Sequence, residues 1–285
     1  MEITAMFIGK KWQPYQKTGL ECSFTVHSVF NRIINISTGK ELLSIAADDT
    51  GGSSAFLTLA ARELNLGLKA GEKGVLRAGL LILAGLTINF VNAPVWKGPI
   101  TGEYRHSVKK ENIAVFKSML DRKAAPQSAY RCIIGESDSP AAIGLNAIRK
   151  LRENPSQALN LIGLGPGLTP SGDDMLIGFL AIANHTYENR EFISILHGIV
   201  SNSLNKTPEI SAQALENALS CDYIGYIQKC IRDLCEGTKE ELCISTASLL
   251  KMGATSGSDI ACGMYFGMID EKGVMPNDNK NITEK

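Results

Sequence analysis

"LIGLGPGLTPSGDDMLIGFL", residues 161–180, combines three glycines at alternate positions, two adjacent aspartates and a closing apolar segment. The apolar residues predict a helix that begins near Ser171, and the glycines predict a preceding loop with backbone angles that other residues avoid. A serine followed three residues later by an acidic residue is typical of a capping box, so Asp174 is expected to cap this helix. Asp173 would then be left as the free functional carboxylate.

A second copy of this pattern follows near the end of the chain. Residues 171–178 and 256–263 both fit S-G-x-D-x-x-x-G, with Asp259 at the position of Asp174 and Ser258 at that of Asp173. The last glycine of each copy lies one turn after the aspartate and would let another helix or backbone approach closely. One such cap is common, but two copies with similar flanking glycines and threonines favour a functional use of both helix starts.

Backbone amides at a helix start favour an anion, and nearby hydroxyl groups add hydrogen-bond donors. Two helix starts that face each other would bind a small, doubly anionic molecule. The predicted catalytic residues are Asp173 and Asp174, which could orient a substrate amine, act as a base or hold Mg²⁺. The predicted binding residues are Gly165, Gly167, Thr169, Ser171, Gly172, Thr255, Ser256, Gly257 and Asp259.

Several common nucleotide and hydrolase motifs are missing from the sequence. No G-x-x-x-x-G-K-[ST] stretch is present, so a P-loop is excluded. The three glycines of the quoted segment lack the G-x-G-x-x-G spacing of dinucleotide-binding folds. Neither G-x-S-x-G nor H-E-x-x-H occurs, and the four histidines are isolated.

Composition narrows the class of partner. Lysine plus arginine equals aspartate plus glutamate at 29 each, which argues against broad attraction to nucleic acid or an anionic membrane. The seven cysteines never form a C-x-x-C pair, as expected for reduced cysteines in a cytoplasmic protein. The uncharged stretch 78–96 contains asparagines and a proline, so it predicts two buried strands or one long bent strand and no membrane span.

The chain is expected to have an α+β fold with two domains. The N-terminal domain, residues 1–104, is predicted to be β-rich and barrel- or sandwich-like, with a hairpin around Gly39. The C-terminal domain, residues 105–285, is predicted to be mainly helical and to carry both motif copies. Thr207 followed by Pro208 predicts a helix start with Thr207 as the N-cap. Helical spacing is found at about 108–122, 139–153, 173–186, 190–205, 209–219, 222–235, 239–252 and 258–269.

Two segments together resemble a known family. "GLGPGLTPSGDDMLIGFL" (163–180) and "SLLKMGATSGSDIACGMYFG" (248–267) resemble the two signature segments of the AllH family. The resemblance is clearest from about residue 160 to 267. It implies a subunit of an oxamate carbamoyltransferase of allantoin and purine catabolism, which interconverts carbamoyl phosphate plus oxamate with oxalurate plus phosphate. It also implies that two other subunits take part.

Alternatives to an enzyme subunit stay open at this point. An older label for the family is carboxylase, and the chain lacks the S-x-R-T-R phosphate motif of ordinary aspartate and ornithine carbamoyltransferases. The chain could instead be a non-catalytic binding or scaffold subunit, or the motifs could be helix-packing devices only. The expected partners are a small anion (carbamoyl phosphate, oxamate or phosphate) and other subunits, with no nucleic acid and no membrane. Mg²⁺, held by Asp173 and Asp174, is the one cofactor that the sequence suggests.

Overall fold

The computed structural model describes residues 1–17, 20–100, 106–133 and 142–269, with only the backbone of residues 133, 142 and 143. The predicted domain boundary near residue 104 lies outside these ranges. The chain divides into two compact units. The first contains Met1–Glu103 and Asp222–Lys229, and the second contains Tyr104–Cys221 and Cys230–Lys285.

The first unit is built around a closed eight-stranded barrel, which confirms the predicted β-rich N-terminal region. Around the barrel the strand order is β1-β5-β4-β3-β2-β6-β7-β8. The pairs β4–β5 and β1–β8 are parallel, and the other neighbours are antiparallel. Closure leaves no strand edge unpaired. The strands are β1 (Glu2–Ile8), β2 (Glu21–Val29), β3 (Ile33–Ser37), β4 (Leu42–Ala47), β5 (Phe56–Leu59), β6 (Lys73–Arg77), β7 (Leu80–Leu83) and β8 (Leu86–Asn89).

The uncharged stretch 78–96 contains β7 and β8, so the predicted alternative of two strands is correct and that of one long bent strand is not. Two-residue turns flank β7, and both residues of each turn have positive φ: 49° and 79° at Ala78 and Gly79, 42° and 82° at Ala84 and Gly85. Such angles at both positions are the mark of a type I′ hairpin turn, whose twist matches that of the flanking strands. No helix among the described residues is long and apolar enough to cross a membrane.

The segment Asp222–Lys229 packs within the barrel unit although it is distant in sequence. The Gly225 amide donates to the Gly52 carbonyl at 2.8 Å, and the Ser54 hydroxyl donates to the Asp222 carboxylate. A β-carbon on Gly225 would lie 1.7 Å from the Gly51 carbonyl oxygen, so only glycine fits there. This attachment depends on close backbone approach, which no hydrophobic pattern in the sequence indicates.

The second unit is helical, as predicted. At its centre lie the helices that carry the two motif copies, α5 and α10, and α5 is buried on all sides from Gly172 to His185. A helix that is apolar all round is expected in the core. The short helix α1 (Gln13–Gln16) and residues 225–229 of α8 (Gly225–Cys235) belong to the barrel unit, and residues 230–235 of α8 belong to the second unit. The other described helices of the second unit are α2 (Lys110–Lys123), α3 (Ala129–Ile133), α4 (Ala142–Lys150), α5 (Ser171–Thr186), α6 (Arg190–Ser201), α7 (Glu209–Leu219), α9 (Lys239–Leu250) and α10 (Ser256–Met268).

Candidate functional site

Helices α5 and α10 pack against each other in parallel, through the glycines predicted to allow close approach. A β-carbon on Gly178 would lie 1.9 Å from the Ile260 carbonyl oxygen, and one on Gly263 would lie 1.8 Å from the Met175 carbonyl oxygen. These contacts are reciprocal, since each glycine meets the carbonyl three residues before the other glycine. The two motif copies are therefore related by a local two-fold arrangement, with both helix starts at the same end.

The two helix starts meet through their hydroxyl groups. Thr169 Oγ1 lies 3.2 Å from Ser256 Oγ, which joins the first loop (residues 163–170) to the start of α10. The Ser256 hydroxyl approaches the Asp174 carboxyl, and the Ser171 hydroxyl approaches the Asp259 carboxyl. Each aspartate thus interacts with the serine of the opposite copy, and the predicted pairing of the two helix starts is present in the fold.

The predicted caps are wrong at both helices. The N-cap of α5 is Pro170 and that of α10 is Thr255, and neither helix has a side-chain cap hydrogen bond. Ser171 and Ser256 are already the first helical residues, so their hydroxyls face the opposite helix and not their own first turn. A true capping box forms at α9, where Thr238 Oγ1 accepts from the Glu241 amide at 3.2 Å and Glu241 Oε2 accepts from the Thr238 amide at 2.9 Å.

Asp173 is a buried tether and not the free carboxylate that the sequence predicted. Its Oδ1 accepts from the Gly163 amide at 2.9 Å, and its Oδ2 accepts from the Ser211 hydroxyl at 2.7 Å and from the Thr207 hydroxyl. Thr207 is therefore not the N-cap of α7 as predicted, since that position is Pro208. Burial raises the pKa of Asp173, and the three hydrogen bonds act against this shift. Asp173 fixes the first loop and α7 to the start of α5.

Ser258 does for α10 what Asp173 does for α5. Its hydroxyl accepts from the Ala125 amide at 2.8 Å, just after α2. The sequence pattern gives no sign of this role for Ser258, nor does it indicate Thr207 and Ser211 as the hydroxyl partners of Asp173. Ser258 accepts one hydrogen bond, whereas Asp173 accepts three, so the residue at each position suits the number of donors that reach it.

The arrangement of the two adjacent aspartates does not favour the predicted Mg²⁺ site. Three donors already occupy the Asp173 carboxylate, whereas the Asp174 carboxyl interacts with Ser256 on the other helix. The two carboxyl groups therefore do not converge on one point, as oxygen ligands of Mg²⁺ must. Within the described ranges, no group of three or more histidine, cysteine, aspartate or glutamate side chains is arranged to hold a metal ion.

Gly172 and Gly257 serve packing, and their amides are not available to a substrate. The Gly172 amide donates to the Leu164 carbonyl at 2.8 Å, and the Gly257 amide donates to the Met252 carbonyl at 2.9 Å. A β-carbon on Gly172 would lie 2.1 Å from the Leu161 carbonyl oxygen, and Gly257 is equally crowded. Gly172 and Gly257 are among the predicted binding residues, but their amides already donate to backbone carbonyls and cannot contact a substrate.

Other amides of the first loop, of the second loop (residues 251–255, before α10) and of the first residue of each helix lack a protein acceptor among the described residues. Gly165, Gly167 and Gly253 have positive φ values of 119°, 88° and 60°, which confirms the expected unusual backbone. Such turns point successive amides in one general direction, as in anion-binding nests. The amides without an acceptor belong to Gly165, Gly167, Leu168, Thr169 and Ser171 at the first helix start and to Gly253, Ala254, Thr255 and Ser256 at the second.

Asp174 and Asp259, called here the acid pair, lie buried in the first turns of α5 and α10. Asp174 is 4% exposed and Asp259 is fully buried. Asp259 Oδ1 accepts from the Ala129 amide at 2.7 Å, but no well-aligned hydrogen bond from the described residues reaches Oδ2 of either aspartate. Burial raises the pKa of Asp259 to about 6, and burial together with the charges of Asp259 and Asp173 raises the pKa of Asp174 well above its ordinary value.

The raised pKa of Asp259 predicts a pH-dependent stability. With a pKa of about 6 in the folded chain against 3.8 in the unfolded chain, the folded state holds a proton that the unfolded state has released. The contribution to the free energy of unfolding is therefore complete below the unfolded pKa and is lost as the pH rises through about 6. The shift corresponds to about 3 kcal/mol.

Asp259→Asn isolates this contribution because asparagine does not titrate. We expect the wild type to lose stability relative to the variant by about 3 kcal/mol between roughly pH 4 and pH 8. Urea denaturation of both proteins at several pH values measures the difference. A wild-type-minus-variant difference that stays constant with pH would contradict the raised pKa.

Comparison with known proteins points to one family. No curated protein and no solved structure matches the chain. Residues 161–268 match the family described as "Oxamate carbamoyltransferase subunit AllH". The matched segment begins at the first loop, contains both motif copies and ends with α10. The resemblance expected from the two signature segments is therefore confirmed by the match to the AllH family over residues 161–268.

Proposed function

We propose that this chain is a subunit of an oxamate carbamoyltransferase-like enzyme and that its paired helix starts bind the small anionic substrate. The reaction converts carbamoyl phosphate and oxamate to oxalurate and phosphate. The observation that carries the proposal is the set of backbone amides without acceptors in the two loops that precede α5 and α10. These loops lie inside the segment that matches the family.

The chemistry of the two loops suits both substrates. Carbamoyl phosphate and oxamate are small anions, and amides at helix starts together with hydroxyl groups are their natural hydrogen-bond donors. Thr169 and Ser256 already lie 3.2 Å apart, so one small anion can contact hydroxyls from both motif copies. Donors held in place before the reaction stabilise charge that develops on a departing phosphate. The donors are the loop amides and hydroxyls, in place of the Gly172 and Gly257 amides.

The acid pair supplies the titratable groups of the proposed site. In the transfer, the amide nitrogen of oxamate attacks the carbamoyl carbon, the bond to phosphate breaks, and the nitrogen loses a proton that phosphate finally carries. Asp174 is proposed to orient the attacking nitrogen through its carboxyl group. Asp173 has no such role, because three donors hold its carboxylate inside the protein.

The family description names a subunit, so we propose that the chain works with other subunits. A scaffold role is the second candidate. The sequence lacks the S-x-R-T-R motif, which favours this role because the carbamoyl transfer could then take place on a partner subunit.

Reconstitution with the partner subunits separates these two candidates. We expect the complete mixture to form oxalurate from carbamoyl phosphate and oxamate, and Asp174→Asn to lower turnover by about 100-fold, a typical loss when a reacting group is misplaced. The variant should keep its far-ultraviolet circular dichroism and its association with the partners. Unchanged turnover in a folded variant would remove the catalytic role of Asp174, and lost association with intact partner activity would indicate a scaffold.

A further inference from the structure

The acid pair occupies equivalent positions in two helices that begin side by side. Asp174 approaches Ser256 of the second copy, and Asp259 lies near Ser171 of the first. Both carboxyl groups are more than nine-tenths buried, and Oδ2 of each has no hydrogen-bond partner among the described residues. These two Oδ2 atoms, buried at the junction of two helix starts without a well-aligned donor, can each accept one more hydrogen bond. A proton is the smallest ligand that satisfies them.

Charge balance indicates how many protons the pair holds. The start of each helix carries about half a positive charge, so two parallel helix starts offset about one carboxylate. Two ionised carboxylates in one buried site repel each other, which favours the state with one proton and one negative charge. A substrate anion arriving at the loops would add negative charge and would favour a second proton.

We propose that Asp174 and Asp259 share one proton in the free protein and that anion binding at the adjacent loops is coupled to the uptake of a second proton by this pair. The inference rests on the proposed function, because it concerns the same anion site. It assigns to Asp259 a role as a positioning residue that sets the charge of the site.

Other titratable and charged groups lie on the helices around the pair. Asp173 of α5 acts on Asp174. On α10, the charge of Asp259 raises the pKa of the Cys262 thiol, which also interacts electrostatically with Arg149 of α4 and Cys132 of α3. Farther along α10, Tyr265 faces the α2 residues Lys117 and Asp121, and Tyr130 of α3 donates to Asp121 at 2.5 Å. Burial raises the pKa of Cys262 well above its ordinary value, so this thiol stays protonated near neutral pH, whereas the pKa of Asp259 is about 6.

Calorimetry measures the coupling directly. The full chain is titrated with sulfate and with oxamate, two anions that do not themselves titrate near neutral pH, in buffers of different ionisation enthalpy. We expect both anions to bind with uptake of roughly half to one proton. Affinity should therefore fall by about three- to tenfold for each pH unit above the pKa of Asp259, since the slope of log affinity with pH equals the proton number.

Variants of the pair and a matched control complete the test. Asp259→Asn and Asp174→Asn should each reduce the proton uptake, and the double variant should abolish it and bind anions with an affinity independent of pH. Asp48→Asn, which changes an exposed aspartate of the barrel unit, should keep the wild-type uptake. Binding heats that do not depend on the buffer would overturn the coupling while leaving the anion site intact.

The same titrations separate this inference from the proposed function. Sulfate binding with proton uptake, in a protein whose reconstituted mixture forms no oxalurate, would support the acid pair and reject the carbamoyl-transfer reaction. Absence of binding for both anions would overturn the anion site and the coupling together.

Discussion

Replacing Gly178 with alanine is expected to lower the free energy of unfolding by about 3 kcal/mol or more, or to prevent folding. The added β-carbon would lie 1.9 Å from the Ile260 carbonyl oxygen and 2.9 Å from the Met264 amide nitrogen. Both atoms belong to the backbone of α10, so relief requires α5 and α10 to separate along their whole contact. Gly263→Ala should cost as much, because its β-carbon would lie 1.8 Å from the Met175 carbonyl oxygen.

Gly198 provides the matched control for this prediction. It also lies inside a helix, α6, but a β-carbon there would meet no atom within 4 Å. Gly198→Ala is therefore expected to stabilise the protein by up to about 1 kcal/mol, the difference in helix propensity. Urea denaturation followed by circular dichroism compares the three variants. Equal effects at Gly178 and Gly198 would contradict the close crossing of α5 and α10.

Asp173→Ala is expected to destabilise the protein by about 3 to 5 kcal/mol. The variant leaves the Gly163 amide and the hydroxyls of Thr207 and Ser211 without their acceptor. Ser258→Ala, the equivalent change in the second copy, leaves only the Ala125 amide without its acceptor and should cost about 1 kcal/mol. The difference between the two losses of stability measures how much more Asp173 contributes to the fold than Ser258 does.

The outcome of Asp173→Ala also decides between two roles for that residue. A stability loss of the expected size supports the tether. A variant with wild-type stability and no turnover would instead support the hypothesis, made from the sequence, that Asp173 is a free functional carboxylate. Thermal unfolding and the oxalurate assay, applied to the same preparation, give both readouts.

The types of the secondary-structure elements and the close packing of α5 against α10 could be predicted from the sequence. Hydrophobic spacing indicated α5, α7 and α10 within a few residues of their observed bounds, because their apolar faces repeat at the helical period. The glycine at the end of each motif copy indicated a close approach, and Gly178 and Gly263 make it. The β-rich character of the first hundred residues was also correct. Its closure into a barrel with two parallel pairs depends on strand pairing, which local patterns do not encode.

The roles of the polar residues could not be predicted, because they depend on tertiary neighbours. The spacing that forms a real capping box at Thr238 and Glu241 is the same as that of Ser171 and Asp174. The first pair is exposed and bonds locally, whereas the second faces another helix. Likewise, the two hydroxyl donors that hold Asp173 come from residues 34 and 38 positions away. Local sequence carries no signal of such partners.

The central claim is that the two loops before α5 and α10 together bind a small anion, and amide nuclear magnetic resonance tests it most directly. Carbamoyl phosphate is titrated into the full chain, with chloride at equal ionic strength as the control. We predict saturable shifts at the amides that lack a protein acceptor, those of Gly165, Gly167, Leu168, Thr169 and Ser171 and those of residues 253–256. Shifts confined to other regions, or none beyond those with chloride, would contradict the claim.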